Sequence, residues 1–332
     1  MQTPSLISRM LRKEKALWAS PSAQRLKGNL AHHWADYALA VLFILMVIYA
    51  ITSKEAFLKE RNLTNIARQI VTNGLISLGM LVVILTGGID LSVGSVVALA
   101  AILAAGLQSD APMGVAIAVA LVAGVAVGLF NGVLIAYFKL APFIVTLATM
   151  GGVRGLVYVY SDTPQSPANP QFRKTLSSFV EGIPVTAIIM VMCYVLVWIF
   201  LNRTTIGRAI YAIGGNAEAV RLSGIKVEWH TILAYIICGF FSALAGVLLA
   251  ARLGISQPNV GSGYELDAIA ATVIGGATLG GGSGGAIGAF GGVLTLGLID
   301  NLLNLYKVQS YYQQILKGGI ILAAVLARRR SL

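Results

Sequence analysis

Long runs of apolar residues limit the fold of this chain more than any other feature of its sequence. A helix that crosses a lipid bilayer needs ~20 mostly apolar residues. Candidate spans of about this length lie near 36–52, 69–87, 91–107, 112–137, 141–160, 183–201, 229–250, 264–279, 284–305 and 312–328. Charged residues make up 11% of the 332-residue chain, whereas about 25% is usual in a soluble domain. The sequence therefore predicts an all-α polytopic membrane protein with about ten transmembrane helices.

The distribution of charge predicts the orientation of these helices. The net charge of +11 comes from basic residues in the short segments between the apolar runs, without the continuous basic face that is typical of nucleic-acid binding. An inside N-terminus leaves more Lys and Arg on the cytoplasmic side than outside, as the positive-inside rule requires. Both termini are therefore predicted to be cytoplasmic. Segment 53–68, which has mixed charge, is interpreted as a short amphipathic helix on the outer face.

Sequence motifs for catalysis or metal binding are missing. The chain contains no HExxH or GxSxG pattern and no Cys/His spacing typical of a metal site. Cys193 and Cys238 both lie in apolar runs and are interpreted as small buried hydrophobic residues. The glycine-rich stretch 280–285 is not followed by Gly-Lys-Ser/Thr and so is not a phosphate-binding loop. The chain is expected to bind no cofactor and to have no enzymatic site of its own.

The first distinctive motif, Thr86–Gly94, interrupts a long apolar stretch. Gly87 and Gly88 allow the chain to leave helical geometry, and Asp90 and Ser92 stand near the start of the next helix. A carboxylate at membrane depth costs roughly 2.5 to 3.5 kcal/mol on insertion scales, so it usually faces protein or water. Two interpretations stay open: Asp90 caps the broken helix, or it lines a translocation pathway.

A similar pattern returns in the second half of the chain. Val273–Leu296 is again an apolar run, a glycine pair at Gly275 and Gly276, and a glycine-studded run. Paired interrupted segments in two halves of a chain indicate a transporter built of repeats, with the pathway between them. Both segments are therefore predicted to contain broken or re-entrant helices, and for 69–87 and 91–107 two full spans stay open as the alternative. Glycines four residues apart also predict close packing of helix backbones; they are Gly276, Gly280, Gly284, Gly288 and Gly292.

Segment 202–228 is basic and is predicted to lie on the cytoplasmic side. It combines glycine hinges, a short helix that Asn216 is expected to cap, and apolar residues expected to be exposed, namely Ile210, Ile213, Leu222 and Ile225. A plain solvated connector has little need for so many apolar positions, so the segment is interpreted as a docking surface for a cytoplasmic partner. The candidate docking residues are Gly207, Arg208, Gly214, Gly215, Asn216, Ala217, Arg221 and Gly224.

Two carboxylates, Glu265 and Asp267, lie where a span begins on the predicted outer face. They are explained equally well as helix-dipole partners at a helix N-terminus and as contacts to a docking partner outside the membrane.

Several long motifs resemble, in the same order and spacing, the ribose/galactoside-type permeases of bacterial ATP-binding-cassette (ABC) importers. They are TGGIDLSVGS at 86–95, TTIGRAIYAIGGNAEAVRLSGI at 204–225, GSGYELDAIAATVIGGATLGGG at 261–282 and SYYQQILKGGIILAAVLARR at 310–329. The resemblance runs from about residue 40 to the C-terminus and leaves the N-terminal 35 residues outside.

This resemblance implies a ten-helix permease domain of the vitamin-B12-importer kind over 36–330, after a cytoplasmic segment 1–35. It implies a bacterial inner-membrane location, a second permease copy, a cytoplasmic ATPase that binds ATP and Mg²⁺, and a periplasmic or lipid-anchored sugar-binding protein. Segment 204–225 would contact the ATPase. The motif at 86–95 and the glycines near 275 would frame the pathway for a monosaccharide, with Glu265 and Asp267 as candidates for docking the binding protein.

Other functions remain alternatives at this point. An ion-coupled secondary transporter would use Asp90 as its coupling carboxylate, and a membrane-embedded enzyme would need a polar catalytic cluster, which the sequence does not present. Polyols, autoinducer-2 and purine nucleosides stay open as solutes beside sugars. The two permease copies could be identical or paralogous.

Overall fold

The computed structural model describes residues 43–52 and 55–329. The predicted N-terminal segment 1–35 and the start of the first candidate span lie outside these residues. The described chain is mainly helical, with α1 (Phe43–Thr52), α2 (Glu60–Leu85), α3 (Val93–Gly106), α4 (Met113–Ala136), α5 (Pro142–Tyr160), α6 (Pro170–Leu176), α7 (Val185–Arg203), α8 (Thr205–Leu222), α9 (Val227–Leu253), α10 (Tyr264–Ile274), α11 (Ala286–Leu305) and α12 (Ser310–Arg329). A short antiparallel hairpin, β1 (Phe179–Val180) and β2 (Ile183–Pro184), is an addition to the all-α prediction.

Six of the described helices, namely α2, α4, α5, α7, α9 and α11, are long and apolar enough to cross a membrane. Helix α1 and the stretch Val93–Ser109 are shorter apolar helices. The chain is therefore a multi-pass membrane protein, and each predicted apolar run overlaps a described helix, although the run at 264–279 continues beyond its helix, which ends at Ile274. The prediction that 53–68 forms a separate amphipathic helix is wrong, because Glu60–Leu85 is one continuous helix of 26 residues. Its first turns contain no Gly or Pro that would end it.

Helix α2 is the centre of the molecule. From Ile70 to Leu85 every residue is buried except Asn73, which is partly exposed. The helix packs against α7, α8, α9, α10 and α11, so its polar backbone is covered by protein on all sides along this stretch. A helix that is apolar all round is typical of such a central position.

Small residues set a close helix contact between α4 and α9. Along α4, one residue in four is small and buried: Ala116, Ala120, Gly124, Gly128, Gly132 and Ala136. A Cβ at Gly132 would lie 2.8 Å from the Cα of Ile232, and a Cβ at Gly128 would overlap the backbone of Tyr235. Such small-xxx-small spacing lets backbones approach closely in lipid, where apolar burial gives helices no net attraction. This ladder was not predicted from the sequence.

The segment between α5 and α7 covers one end of the helix bundle. Ser177 Oγ donates to the carbonyl of Ala251 at 3.0 Å, and Arg68 donates to the carbonyl of Ser177 at 3.1 Å. Gln165 and Ser256 exchange two backbone hydrogen bonds of 2.9 and 2.8 Å. This end therefore contains the last turns of α9 and the first turns of α2.

Helix α8 lies at the opposite end of the bundle. Tyr211 on α8 donates to the carbonyl of Gly284, just before α11, at 2.9 Å. The last residue of α2, Leu85, lies in the same region. Because a helix rises 1.5 Å per residue, Arg68 and Leu85 are roughly 25 Å apart along α2. The two ends are thus separated by a distance close to the hydrocarbon thickness of a bilayer.

Candidate functional site

The helix break between α2 and α3 holds a buried polar cluster around Asp90. The carboxylate Oδ1 of Asp90 accepts hydrogen bonds from the backbone N–H of Ser92 at 2.9 Å and from its hydroxyl at 2.6 Å. Asn131 on α4 donates to the same hydroxyl at 3.0 Å. Asp90 is 2% exposed and Asn131 is fully buried. Asn131 was not predicted from the sequence, because its partner Ser92 lies 39 residues earlier in the chain.

This geometry is that of a turn just before the helix. The Asp90 carboxylate accepts from the N–H of Ser92, the residue that precedes the first residue of α3, and so lies near the positive end of the helix dipole. The hydrogen bonds also offset part of the free energy lost when a carboxylate is buried. A role for Asp90 or Ser92 in lining a pathway stays a prediction.

Three glycine-containing segments meet next to this break. The backbone N–H of Gly282 donates to the carbonyl of Leu85 at 3.0 Å. A Cβ at Gly281 would lie 2.7 Å from the Cα of Gly214 and 2.8 Å from the backbone nitrogen of Gly87. A Cβ at Gly214 would overlap both the Leu85 carbonyl and the Gly282 nitrogen. We call this contact of α2, α8 and the α10–α11 loop the glycine junction, defined by Leu85, Gly87, Gly214, Gly281 and Gly282.

The glycine junction brings together two sets of residues that the sequence analysis treated separately. Gly87 belongs to the predicted pathway set, and Gly214 belongs to the predicted docking segment. Gly88 is also close: a Cβ there would overlap the hydroxyl of Tyr235 on α9. The two helix breaks, which show a weak similarity in sequence, are therefore in direct backbone contact.

The second break, between α10 and α11, differs from the predicted ladder of glycines. A Cβ at Gly275 would overlap the carbonyl of Gly288, and one at Gly292 would overlap the carbonyl of Ala271, so these residues form a close helix crossing. Gly276, with φ of +106°, belongs to the connecting loop and not to a helix face. The four-residue spacing from 276 to 292 therefore does not describe one continuous packing face, because the helix is interrupted between Ile274 and Ala286.

Helix α8 consists of two helical pieces joined at Asn216. The backbone of Asn216 is non-helical, with φ −162° and ψ 95°, and its side-chain oxygen accepts from the N–H of Ala219 at 2.9 Å. This confirms the prediction that Asn216 ends one short helix and caps the next. At the start of α8, the Thr204 hydroxyl oxygen accepts from the N–H of Gly207 at 3.0 Å.

One face of α8 packs onto the membrane helices, and the other is exposed. Ile210 and Ile213 are 0% and 5% exposed, so the prediction that they lie on the surface is wrong. They cover apolar positions of the bundle and the start of α9. Leu222, in contrast, is 81% exposed, and Ile225 is 36% exposed. Of the candidate docking residues, Arg208, Gly215, Asn216, Arg221 and Gly224 are exposed, Gly214 and Ala217 are partly buried, and Gly207 is buried.

Ion pairs brace the turn that follows α8. Arg221 pairs with Glu218 one turn earlier and with Glu228 on α9 at 3.1 Å. The hydrogen bond to Glu228 raises the pKa of Arg221 above its ordinary value. The guanidinium therefore stays charged and fixes the exposed end of α8 against α9.

The first turn of α10 carries Glu265 and Asp267, and neither points freely into solvent. Lys317 on α12 lies 3.1 Å from the carboxylates of both Asp267 and Asp300. Asn73 on α2 donates to Asp267 at 3.4 Å. Glu265 accepts from the N–H of Gly263 at 3.2 Å. Docking of a partner at these two carboxylates stays a prediction; the structure adds an ion-pair role for Asp267.

The comparisons with known proteins give the family. The family model for the branched-chain amino acid transport system / permease component matches residues 62–325. The chain is 47% identical over 294 residues to the ribose import permease protein of Bacillus subtilis. The aligned stretch covers 87% of this chain and 91% of that protein. It is 44% identical over 300 residues to the ribose import permease protein of Escherichia coli K12, covering 87% and 93%.

A third relative is named for a different sugar. The D-allose transport system permease protein of Escherichia coli K12 is 37% identical over 314 residues, covering 93% of this chain and 96% of that protein. No solved structure matches the chain. The resemblance drawn from the motifs is confirmed by these relatives. The family model matches most of the chain, and these permeases align with it almost end to end. The chain therefore belongs to the family of transport-system permease components.

Proposed function

We propose that this chain is the membrane-spanning permease subunit of an ATP-driven importer for a monosaccharide. The names of its relatives, which are permeases for ribose and D-allose, support this solute class. The chain would form the translocation pathway, and a separate ATPase would bind ATP and Mg²⁺. In this proposal the location is the bacterial inner membrane.

The observation that carries the proposal is the glycine junction. Helix α8 has an exposed face with Leu222 and Arg221, suited to a protein partner, and a buried face that contacts both helix breaks through backbone atoms. A displacement of α8 by an ATPase would reach Leu85 and Gly282 directly, because Gly214 leaves no side chain between them. Coupling of this kind needs contiguous rigid contacts between two sites.

The arrangement of the helix ends supports ten crossings with both termini cytoplasmic. Placing α8 on the ATPase side puts the end of α2 and the start of α11 there, and the segment between α5 and α7 on the other side. The described helices then alternate in direction from α1 to α12, with α6 and α8 outside the membrane. This topology is consistent with a single permease domain over 36–330 of the vitamin-B12-importer kind.

Three partners follow from this function. A second permease copy would complete the pathway, with Gly87, Gly88, Asp90, Ser92, Gly275 and Gly276 near it. A cytoplasmic ABC ATPase would dock on α8, and a periplasmic or lipid-anchored sugar-binding protein would dock on the opposite end, where Glu265 is a candidate contact.

The competing function is an ion-coupled secondary transporter that uses Asp90. The hydrogen bonds of Asp90 favour the first proposal, because its carboxylate oxygen Oδ1 already accepts from the N–H and the hydroxyl of Ser92. A coupling carboxylate would have to exchange an ion during each cycle. The hydrogen bonds to Ser92 would then break and re-form at each turnover.

The test is uptake of labelled D-ribose into proteoliposomes that contain the permease and its ATPase, with the binding protein added on the opposite face. We expect uptake to require ATP. Leu222→Asp should abolish ATPase co-purification without lowering the melting temperature, since this side chain is 81% exposed. Leu222→Met is the matched control and should keep both. Uptake that ignores ATP and collapses with an ion gradient would instead establish the secondary transporter.

A further inference from the structure

A polar pocket lies at the end of the bundle opposite α8. It has a volume of about 430 Å³, which falls within the range of roughly 300 to 1,000 Å³ for small-molecule sites. The first turns of α2 and the last turns of α9 and α11 form its walls. Its lining residues are Asn62, Asn65, Arg68, Gln69, Arg252, Asn301, Asn304 and Leu305. Because α2 rises 1.5 Å per residue, Asn65 is roughly 30 Å from the glycine junction.

The chemistry of the lining is dominated by carboxamides. Five of the eight lining residues are Asn or Gln, and none of these described residues is acidic. A carboxamide offers two donors and an acceptor, which matches the mixed donor and acceptor character of a hydroxyl group. A pocket of this composition suits a neutral ligand that carries many hydroxyl groups.

The two arginines of the pocket are engaged by the protein itself. Arg252 donates to the backbone carbonyl of Arg68 at 2.8 Å, and Arg68 donates to the carbonyl of Ser177. The Arg68 guanidinium also lies 4.4 Å from the centre of the Phe179 ring. These contacts fix the walls and leave fewer donors for an anion. The arginines therefore hold the walls of the pocket in place and contribute little to the selection of a charged ligand.

The floor of the pocket is held rigid by an amide pair. Asn62 donates to Asn301 at 3.1 Å, and Asn301 donates back to Asn62 at 2.8 Å, which joins α2 to α11. Asn304 accepts from Gln313 at 3.0 Å. Asn65 and Gln69 have no side-chain hydrogen bond within the described part of the chain. Their amides line the pocket without a protein partner and are available to a ligand.

We propose that this pocket is a binding subsite for a neutral, polyhydroxylated solute on the permease itself. The inference rests on the proposed function, which places the pocket on the side where a sugar arrives. Asn65 and Gln69 would contact the solute hydroxyls, and the Asn62–Asn301 pair would fix the geometry. A rigid, preorganised wall reduces the entropy lost on binding.

The experiment uses the full-length permease in lipid nanodiscs, with D-ribose as the probe and saturation-transfer NMR as the readout. We expect a saturable signal, and at least a fivefold loss of signal in Asn65→Ala/Gln69→Ala. Asn202→Ala is the matched control, because Asn202 is an exposed amide outside the pocket that bonds the carbonyl of Trp198. It should keep the signal. Asn65→Trp, which places a bulky indole in the pocket, should also remove the ribose signal.

Other outcomes would overturn the proposal. A folded wild-type protein without a saturable ribose signal, or a signal that survives both pocket variants, shows that the pocket holds no sugar. Stronger binding of D-ribose 5-phosphate than of D-ribose shows an anion site instead of a neutral one. Melting temperatures identify variants that fail to fold. ATP-dependent uptake in proteoliposomes is measured separately, so that loss of the subsite and failure of the proposed function are distinguished.

Discussion

The backbone N–H of Gly282 donates a 3.0 Å hydrogen bond to the carbonyl oxygen of Leu85. This bond joins the two helix breaks of the chain, and Gly214 on α8 packs directly against it. The contact is made of backbone atoms, so it tolerates little displacement and leaves no room for a side chain. This close contact leads to opposite predictions for Gly214 and for its neighbour Gly215.

Gly214→Ala should destabilise the protein, whereas Gly215→Ala should not. A Cβ at position 214 overlaps Leu85 and Gly282, and overpacking of this kind costs about 1–3 kcal/mol. A Cβ at Gly215 meets no atom within 4 Å. The measurement is the melting temperature of each purified variant. Equal melting temperatures would mean that the glycine junction is not close-packed.

Gly128→Ala should weaken the packing of α4 on α9. A Cβ there overlaps the backbone of Tyr235, which cannot move as a flexible side chain can, so we expect a loss of about 1–3 kcal/mol. Gly114→Ala on the same helix is the control, because a Cβ there meets no atom within 4 Å. The thermal unfolding of the two variants is compared, with size-exclusion chromatography as the readout. A stable Gly128→Ala variant would argue against a close α4–α9 crossing.

Lys317→Met should be strongly destabilising. It leaves Asp267 and Asp300, whose side chains are 14% and 11% exposed, without their shared cation. Breaking a buried ion pair by removing one partner costs about 3–5 kcal/mol. Adding Asp300→Asn to Lys317→Met should restore part of the loss, because one uncompensated carboxylate is removed. The free energy of unfolding in urea, or the melting temperature, is measured for the single and the double variant. A double variant that is no more stable than Lys317→Met alone would contradict the ion-pair account.

Asp90→Asn should keep ATP-dependent uptake. The amide oxygen of Asn can still accept from the N–H of Ser92, and the lost charge at a helix N-terminus is worth about 0.3–1 kcal/mol. Asp90→Ala removes both hydrogen bonds to Ser92 and should cost about 1–3 kcal/mol of stability. Uptake and melting temperature are measured for both variants. Loss of uptake in a stable Asp90→Asn protein would return Asp90 to the role of a coupling residue.

The sequence by itself determined the class of fold and where its apolar helices lie, but not that α2 begins as early as Glu60. Runs of about twenty apolar residues have few stable forms in lipid, because each backbone N–H and C=O must be paired within the segment. The motif at Thr86–Gly94 likewise indicated a helix break, since glycine and a capping carboxylate are local signals. Asn216 was identified as a cap for the same reason, because its hydrogen bond lies three residues away.

Only the tertiary structure decided which of these local features meet. The Asp90–Ser92–Asn131 cluster, the pairing of Lys317 with Asp267 and Asp300, and the glycine junction all join residues far apart in sequence. Local pattern also misjudged Ile210 and Ile213, because an apolar residue on a short helix is equally compatible with burial against the bundle and with an exposed docking face. Spacing along the chain fixes which side of a helix a residue lies on, but the neighbour on that side depends on how all the helices pack.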